Sequence, residues 1–272
     1  LDKFPSPAEL LMRFQTEKGI TPAEMTAINQ PYYTSQTTYS PRYYQRNAIN
    51  RTVEAVAQGK DRLLLVMATG TGKTYTAFQI VYRLLKSGLK KKVLYLADRN
   101  ILVDQSIQQD FAPLEKTIHK INFAKDDPVT ITSHEVYFSL YQQLAGNDEE
   151  TDNGEDPVAR FASLFQKDFF DLIIVDECHR SIYGKWKAVL DYFNDASVVG
   201  LTATPTPEAY AYFDNNIIEQ YTYDDSVVDG VKTQKLFILT NADRSGYCRT
   251  VKRKYIHLII LSILVIVYDS NG

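Results

Sequence analysis

Leu63-Leu64-Leu65-Val66-Met67-Ala68-Thr69-Gly70-Thr71-Gly72-Lys73-Thr74-Tyr75-Thr76-Ala77-Phe78 is the stretch on which the reading of the fold turns. It begins with an apolar run, Leu63 to Met67, too short for a helix and apolar on both faces, as a strand buried on two sides should be. It ends in a helix-period stretch, Tyr75 to Lys86, that puts Phe78, Ile80, Val81 and Leu84 toward a core. Between them lies a glycine turn closed by Lys-Thr. Strand, glycine turn and helix in that order make the place where a phosphate-binding loop sits. The glycines let backbone N–H groups turn toward a polyphosphate at the helix N-terminus, Lys73 reaches the β and γ phosphates, and the Thr74 hydroxyl completes a magnesium shell. Thr69, Gly70, Thr71, Gly72, Lys73 and Thr74 are therefore the candidate nucleotide-binding residues. Met67 stands where such loops usually begin with glycine, and a chance glycine-rich turn is the plain alternative.

The same alternation of short apolar run and helix-period stretch continues to about Tyr223. Further strands are expected at Val93 to Ala97, Val129 to Thr132, Leu172 to Val175 and Val198 to Thr202, and Ile182, Trp186, Val189, Leu190 and Phe193 recur at helical spacing. The pattern predicts an α/β fold, a doubly wound parallel sheet with helices on both faces. Leu172-Ile173-Ile174-Val175-Asp176-Glu177-Cys178-His179-Arg180 places an acidic pair at the carboxyl end of a strand, the edge where ligands bind in this class. Asp176 would hold magnesium through water. Glu177, pointing differently, would orient and deprotonate the water that attacks a γ-phosphate. A capped helix start is the structural alternative for the pair. Cys178 and His179 lack the spaced partners that a metal site or an activated thiol needs. Gly200-Leu201-Thr202-Ala203-Thr204-Pro205 ends another strand with two hydroxyls on alternate positions, and its proline forces an extended exit.

Outside this region the chain is less informative. A helix is expected from Ser6 to Phe14, with Leu10, Leu11 and Phe14 on one face, followed by Gln30 to Pro41, a linker or surface strap. A boundary near Ser40 divides the chain into an N-terminal helix and linker (1–40), a nucleotide-binding lobe (41–230) and an atypical segment (231–272). Gly146 to Pro157 carries Asp148, Glu149, Glu150, Asp152, Glu155 and Asp156 and reads as a solvated loop, since its spacing does not complete a calcium loop. Ile256 to Tyr268 is nearly all aliphatic and follows Arg249, Lys252, Arg253 and Lys254. As a helix it would span roughly 20 Å against about 30 Å of bilayer hydrocarbon, and no membrane role is expected. Over 272 residues the chain is 44% hydrophobic and 23% charged with a net charge of -3, which argues against a disordered or collagen-like chain. Any polyanion binding must come from local patches. Two cysteines and an N-terminus without a secretory pattern point to a reducing, cytoplasmic setting.

Taken together, Met-Ala-Thr-Gly-Thr-Gly-Lys-Thr, Asp-Glu-Cys-His and Leu-Thr-Ala-Thr-Pro, in that order, resemble the first motor lobe of superfamily-two helicases and DNA translocases, which is RecA-like. Pro41-Arg42-Tyr43-Tyr44-Gln45-Arg46 resembles that family's adenine-reading element, which makes Gln45, with Arg42, the purine contact. Leu94-Tyr95-Leu96-Ala97-Asp98-Arg99-Asn100-Ile101-Leu102-Val103-Asp104-Gln105 resembles its motif Ia, which touches the nucleic-acid backbone, and Thr130-Ile131-Thr132-Ser133 is similar to a later DNA-facing element. Arg99, Asn100 and Ser133 are thus candidate DNA contacts, with His134 and Arg180 beside them, and Thr202 and Thr204 candidate coupling residues. Asp-Glu-Cys-His-Arg-Ser-Ile-Tyr-Gly and Leu-Thr-Ala-Thr-Pro-Thr-Pro-Glu resemble more narrowly the restriction (R) subunit of type I restriction-modification enzymes.

That resemblance runs from about Ser6 to Gly230 and implies ATP and Mg2+ as ligands. It also implies double-stranded DNA translocation driven by ATP hydrolysis, and partners in the modification and specificity subunits. Neither the family's nuclease motifs nor those of its second motor lobe, which supplies an arginine finger, are found in these 272 residues. The chain is accordingly expected to bind MgATP far better than it turns it over. Another superfamily-two motor and a non-cycling nucleotide-binding interaction module are the competing readings. The abrupt loss of family character at Val231 predicts that the coding DNA beyond that point, read in the other frames, carries second-lobe motifs; finding none would dismiss a frame change.

Overall fold

The structure, a computed structural model, describes residues 4–35, 40–97, 107–140, 156–180, 185–232, 236–238 and 249–251. Helix α1 (Pro7–Lys18) starts at a reciprocal cap in which the Glu9 carboxylate accepts the Ser6 N–H at 2.7 Å and Ser6 Oγ accepts the Glu9 N–H at 3.3 Å. It runs past the expected end at Phe14 to Gly19 and buries none of its residues, so Leu10 and Leu11 face outward. A second helix, α2 (Pro22–Asn29), repeats the cap with Thr21 and Glu24 and buries Met25 and Ala27. The following segment is a strap. Tyr33 exchanges both backbone hydrogen bonds with the Gln79 side chain, at 2.9 and 3.1 Å, and the Tyr32 hydroxyl donates to Asn50 Oδ1 at 2.8 Å.

Then come α3 (Tyr43–Ala57), β1 (Arg62–Met67), α4 (Lys73–Lys86), β2 (Val93–Ala97), β3 (Ile118–Lys120) and β4 (Val136–Leu140). After these follow α5 (Pro157–Leu164), β5 (Leu172–Asp176), α6 (Lys185–Tyr192), β6 (Ser197–Thr202), α7 (Pro207–Tyr212) and β7 (Ile217–Tyr221). The strands form one sheet in the order β3-β4-β2-β5-β6-β1-β7, and every pairing is parallel. This is the doubly wound α/β architecture expected from the sequence. Strand residues alternate between two cores, as the pleat requires. Leu64, Val66, Leu94, Leu96, Tyr137, Ile173 and Val175 share one cluster with Phe161, Phe170 and Phe193. Tyr95 and Phe138, paired in register, stack at 4.7 Å, and Phe111 meets both of them and Phe78 of α4 edge-on.

One expected strand is corrected. Val129 to Thr132 forms a turn running into a short 3-10 helix (Ile131–Ser133), and the strand is Val136–Leu140. Asp127 decides it: its carboxylate accepts the Val129 N–H at 2.8 Å and its carbonyl accepts from Thr130 and Ile131, so local bonds take the donors a ladder would use. Val129 is left 83% exposed, whereas Val136 to Leu140 is buried throughout.

By packing the chain divides into Leu1–Tyr221 and Thr222–Gly272. The second unit contains α8 (Tyr223–Val228), capped by Thr222, and an antiparallel pair, β8 (Leu236–Ile238) with β9 (Arg249–Val251). The aliphatic run 256–268 and the acidic stretch 146–155 lie outside the described residues. Among the described residues no helix is long and apolar enough to cross a membrane.

Gly200 of β6 has no room for a side chain, because a Cβ there would run into the Phe213 ring and lie 3.0 Å from Cys178 Sγ. Gly200→Ala is therefore expected to cost about 1–3 kcal/mol of stability in urea unfolding. Adding Phe213→Leu should recover part of that loss, and additive effects would show that the two sites do not meet.

Candidate active site at the carboxyl edge of the sheet

Parallel neighbours end at one edge, and β5, β6 and β1 are adjacent in the sheet. Val66 pairs with Thr202 and Asp176 with Leu201, so the segments that follow Met67, Asp176 and Thr202 converge there. The glycine loop turns through two left-handed residues, Gly70 at φ 75° and Gly72 at φ 87°, and hands over to α4 at Lys73. The first turn of α4 offers its unpaired N–H groups and the positive end of its dipole toward the loop. Thr69 and Gly70 are exposed, while Thr71 turns inward, its hydroxyl donating to the Ala68 carbonyl at 2.6 Å. Thr74 is partly exposed beside them.

Lys73 is 8% exposed, and its Nζ lies 3.3 Å from Glu177 Oε1 and 3.5 Å from the Met67 carbonyl. Glu177 adopts φ 47°, a left-handed conformation that costs a residue with a Cβ of the order of 1 kcal/mol or more. That turn separates its carboxylate from Asp176, whose Oδ1 accepts the Glu177 N–H at 3.0 Å. His179 follows in a 3-10 turn (Cys178–Arg180); its Nδ1 lies 3.0 Å from Thr202 Oγ1 and 3.5 Å from Glu177 Oε2. Thr202 Oγ1 also accepts the Thr204 N–H at 3.1 Å. Lys73, Glu177, His179, Thr202 and Thr204 thus form one connected polar chain across three strand ends. Sequence reasoning had weighed His179 only as a metal ligand; its spacing from the acidic pair carried no sign that it would meet Thr202.

Gln45 reaches the loop from α3. Its Oε1 accepts the Arg42 N–H at 2.9 Å and its Nε2 donates to the Thr71 carbonyl at 2.9 Å, and a Cβ on Gly72 would collide with this amide. The amide keeps a second N–H and a second lone pair for a ligand. Arg42 is exposed next to it. Two residues that the sequence analysis did not single out support the same point. The Tyr44 hydroxyl donates to the Thr71 carbonyl at 3.1 Å, and the Tyr44 ring stacks on Tyr221.

The candidate DNA contacts are not all brought here. Ser133 and His134 precede β4 and so lie at the amino edge of the sheet, away from the glycine loop, with the Ser133 hydroxyl donating to the Thr130 carbonyl. Arg99 and Asn100 lie outside the described residues, as does the Arg180 side chain. Cys178 is fully buried and its thiol is pushed up, first by burial and then by Glu177 and Asp176, which disarms it as a nucleophile. Among the described residues no group of three or more His, Cys, Asp or Glu side chains is arranged to hold a metal ion. Thr74 and Asp176 nevertheless offer the hydroxyl and carboxylate oxygens that magnesium takes when a phosphate and waters complete its shell.

A family model described as the type III restriction enzyme, res subunit, matches residues 38–207. The type I restriction enzyme EcoAI endonuclease subunit of Escherichia coli is 49% identical over 208 residues, 75% of this chain and 24% of that protein. The EcoKI endonuclease subunit of Escherichia coli strain K12 is 31% identical over 212 residues, 70% of this chain and 17% of that one. Among solved structures, a fragment described as a putative HsdR subunit of a type I restriction enzyme from Vibrio vulnificus YJ016 superposes with a TM-score of 0.64 at 35% identity. That alignment covers 85% of this chain and 38% of the fragment. The chain thus spans a quarter or less of the curated relatives it matches.

The inert setting of Cys178 is directly measurable. Iodoacetamide at neutral pH is expected to leave Cys178 unmodified in the folded chain and to label it once urea unfolds the lobe, read by peptide mass; rapid native labelling would contradict the burial.

Proposed function

The chain belongs to the res-subunit family of restriction enzymes and corresponds to the helicase-like region of type I endonuclease subunits, and on that premise we propose that it is the ATP-binding lobe of an ATP-dependent double-stranded DNA translocase. The observation that carries this reading is the convergence of Lys73, Glu177 and Thr202 from three adjacent strand ends beneath a glycine loop that opens a helix. Such a set suits a nucleoside triphosphate: backbone donors and an ammonium for the phosphates, with a carboxylate close by but set apart from the one that would face the metal.

In this reading Lys73 exchanges Glu177 for the β and γ phosphates. Glu177, released from the ammonium, takes a proton from the water aligned with the γ-phosphate. Thr74 and Asp176 would hold Mg2+, whose charge offsets that of the β and γ oxygens. Gln45 reads the purine edge with Arg42 beside it. His179 and Thr202 pass the state of Glu177 to the Thr202–Pro205 segment, where Thr204 is held by the same hydroxyl. Arg99 and Asn100, which follow β2 in sequence, are the proposed contacts to the DNA backbone, and the modification and specificity subunits are the proposed partners. Phosphate contacts of that kind make binding indifferent to base sequence and steeply salt-dependent.

The test is MgATP binding and hydrolysis by this chain, with and without double-stranded DNA. MgATP is expected to bind, and Lys73→Ala to weaken it about 10- to 100-fold, the range for losing a charge-assisted hydrogen bond. Turnover is expected to stay low, since the arginine finger drawn from a second lobe in such motors contributes about 10³ to 10⁵ in rate. Equal affinity of wild type and Lys73→Ala would overturn the assignment of the loop.

A further inference from the structure

Tyr221 is the last residue of β7, and neither its position nor its neighbours in sequence suggest a part in the site. Its contacts do. The Tyr221 carbonyl accepts the Ala68 N–H at 2.9 Å, at the first step of the glycine loop beyond β1. Its ring lies parallel to that of Tyr44, with centroids 3.8 Å apart and planes 7° from each other, and is 3% exposed. Tyr43 closes the group edge-on, 5.6 Å from Tyr44 and 6.3 Å from Tyr221. Tyr44 in turn holds the middle of the same loop through its hydroxyl on the Thr71 carbonyl, an oxygen that also accepts Gln45 Nε2. Both lone pairs of that carbonyl are therefore occupied by neighbours on α3, and the ring of one of these neighbours rests on Tyr221.

We propose that Tyr221 is a positioning residue for the phosphate-binding loop, acting on Ala68 through its backbone and on Thr71 through the stacked ring of Tyr44. The proposal rests on the reading of the loop as a triphosphate site and adds to it a residue outside every motif that identified the site. Its physical basis is preorganisation. A loop that must aim several N–H groups at an anion loses affinity when it has to be ordered on binding, and two buried aromatic rings order it beforehand without touching the ligand. Tyr221 also joins directly to Thr222, where the second unit begins, so the residue that steadies the loop is the one through which the chain leaves the sheet.

A structural role in folding alone would lower the melting temperature and leave the affinity of the folded protein unchanged. A positioning role moves the affinity, and moves it for the phosphate chain without the base. The 272-residue chain is titrated calorimetrically with MgATP and with magnesium tripolyphosphate. Tyr221→Leu, which keeps the position apolar and the backbone bond to Ala68, is expected to weaken both ligands about tenfold. Tyr221→Phe, which keeps the ring, is expected to recover most of that loss. Tyr44→Phe removes the hydroxyl bond to Thr71 without changing the packing and is expected to weaken both ligands about three- to tenfold. If Tyr221→Leu does not fold, Tyr221→Met, which fills more of the ring's volume without its flat face, is titrated in its place with the same expected loss. Wild-type affinity for tripolyphosphate in folded Tyr221→Leu or in Tyr44→Phe overturns the proposal while leaving the triphosphate site intact. A wild-type chain that binds neither ligand overturns the underlying reading and the proposal with it.

Discussion

Lys73 sits at 8% exposure, where burying an ammonium is costly unless an anion lies close, and Glu177 supplies one at 3.3 Å. That pairing reaches from α4, which follows β1, to the turn after β5, two strands away in the sheet. It can form only if β1 and β5 end at the same edge, which a parallel arrangement secures, and only if β6 between them leaves space above its last residues. The unusual backbone of Glu177 belongs to the same constraint, because a left-handed residue after Asp176 sends two successive carboxylates to different places.

The opposite edge solves the complementary problem of starting the strands. Lys90 donates to the Asp171 carbonyl at 2.8 Å and to Ser197 Oγ at 3.0 Å, while the Asp171 carboxylate accepts the N–H groups of Lys91 and Lys92. Burial raises Asp171 and lowers Lys90, and in each it outweighs the attraction of the other. Lys92 extends the network to the carbonyls of Thr132 and His134. These bonds fasten the beginnings of β2, β4, β5 and β6 together, and the register they set is carried along the strands to the carboxyl edge. The His134 carbonyl belongs to this fastening, and Ser133 stands between it and Thr132, so both residues lie at the amino edge.

On the flank, the buried Arg83 donates to Asn50 Oδ1 at 2.7 Å and to the Ile28 carbonyl at 2.6 Å, and its guanidinium lies 5.1 Å from the Tyr32 ring centroid. It binds α2, α3 and the strap to the far end of the helix whose near end carries Lys73. The first 35 residues are thus part of the same packed unit as the glycine loop, although their composition reads as a helix and a linker.

What the amino-acid sequence determined by itself was local and chemical. The strand, glycine turn and helix from Leu63 to Lys86, the acidic pair after Leu172 to Val175, and the hydroxyls after Val198 are each written in contiguous residues, because the loop conformation and strand burial depend on nearest neighbours and on a period of two. The parallel class followed from their repetition. The same rules failed at Val129 to Thr132, where β-branched residues suggested a strand and the hydrogen bonds of Asp127 made a turn. Short strands such as Ile118–Lys120 and Ile217–Tyr221 carried too little pattern to be seen. Tertiary structure alone decided the strand order, the edge to which each segment comes, and the contacts of His179 with Thr202 and of Tyr221 with Tyr44. Those partners are separated by 23 and 177 positions in the chain. Their meeting is set by the pairing register and the packing of α3 on the sheet, quantities that no single stretch of sequence contains.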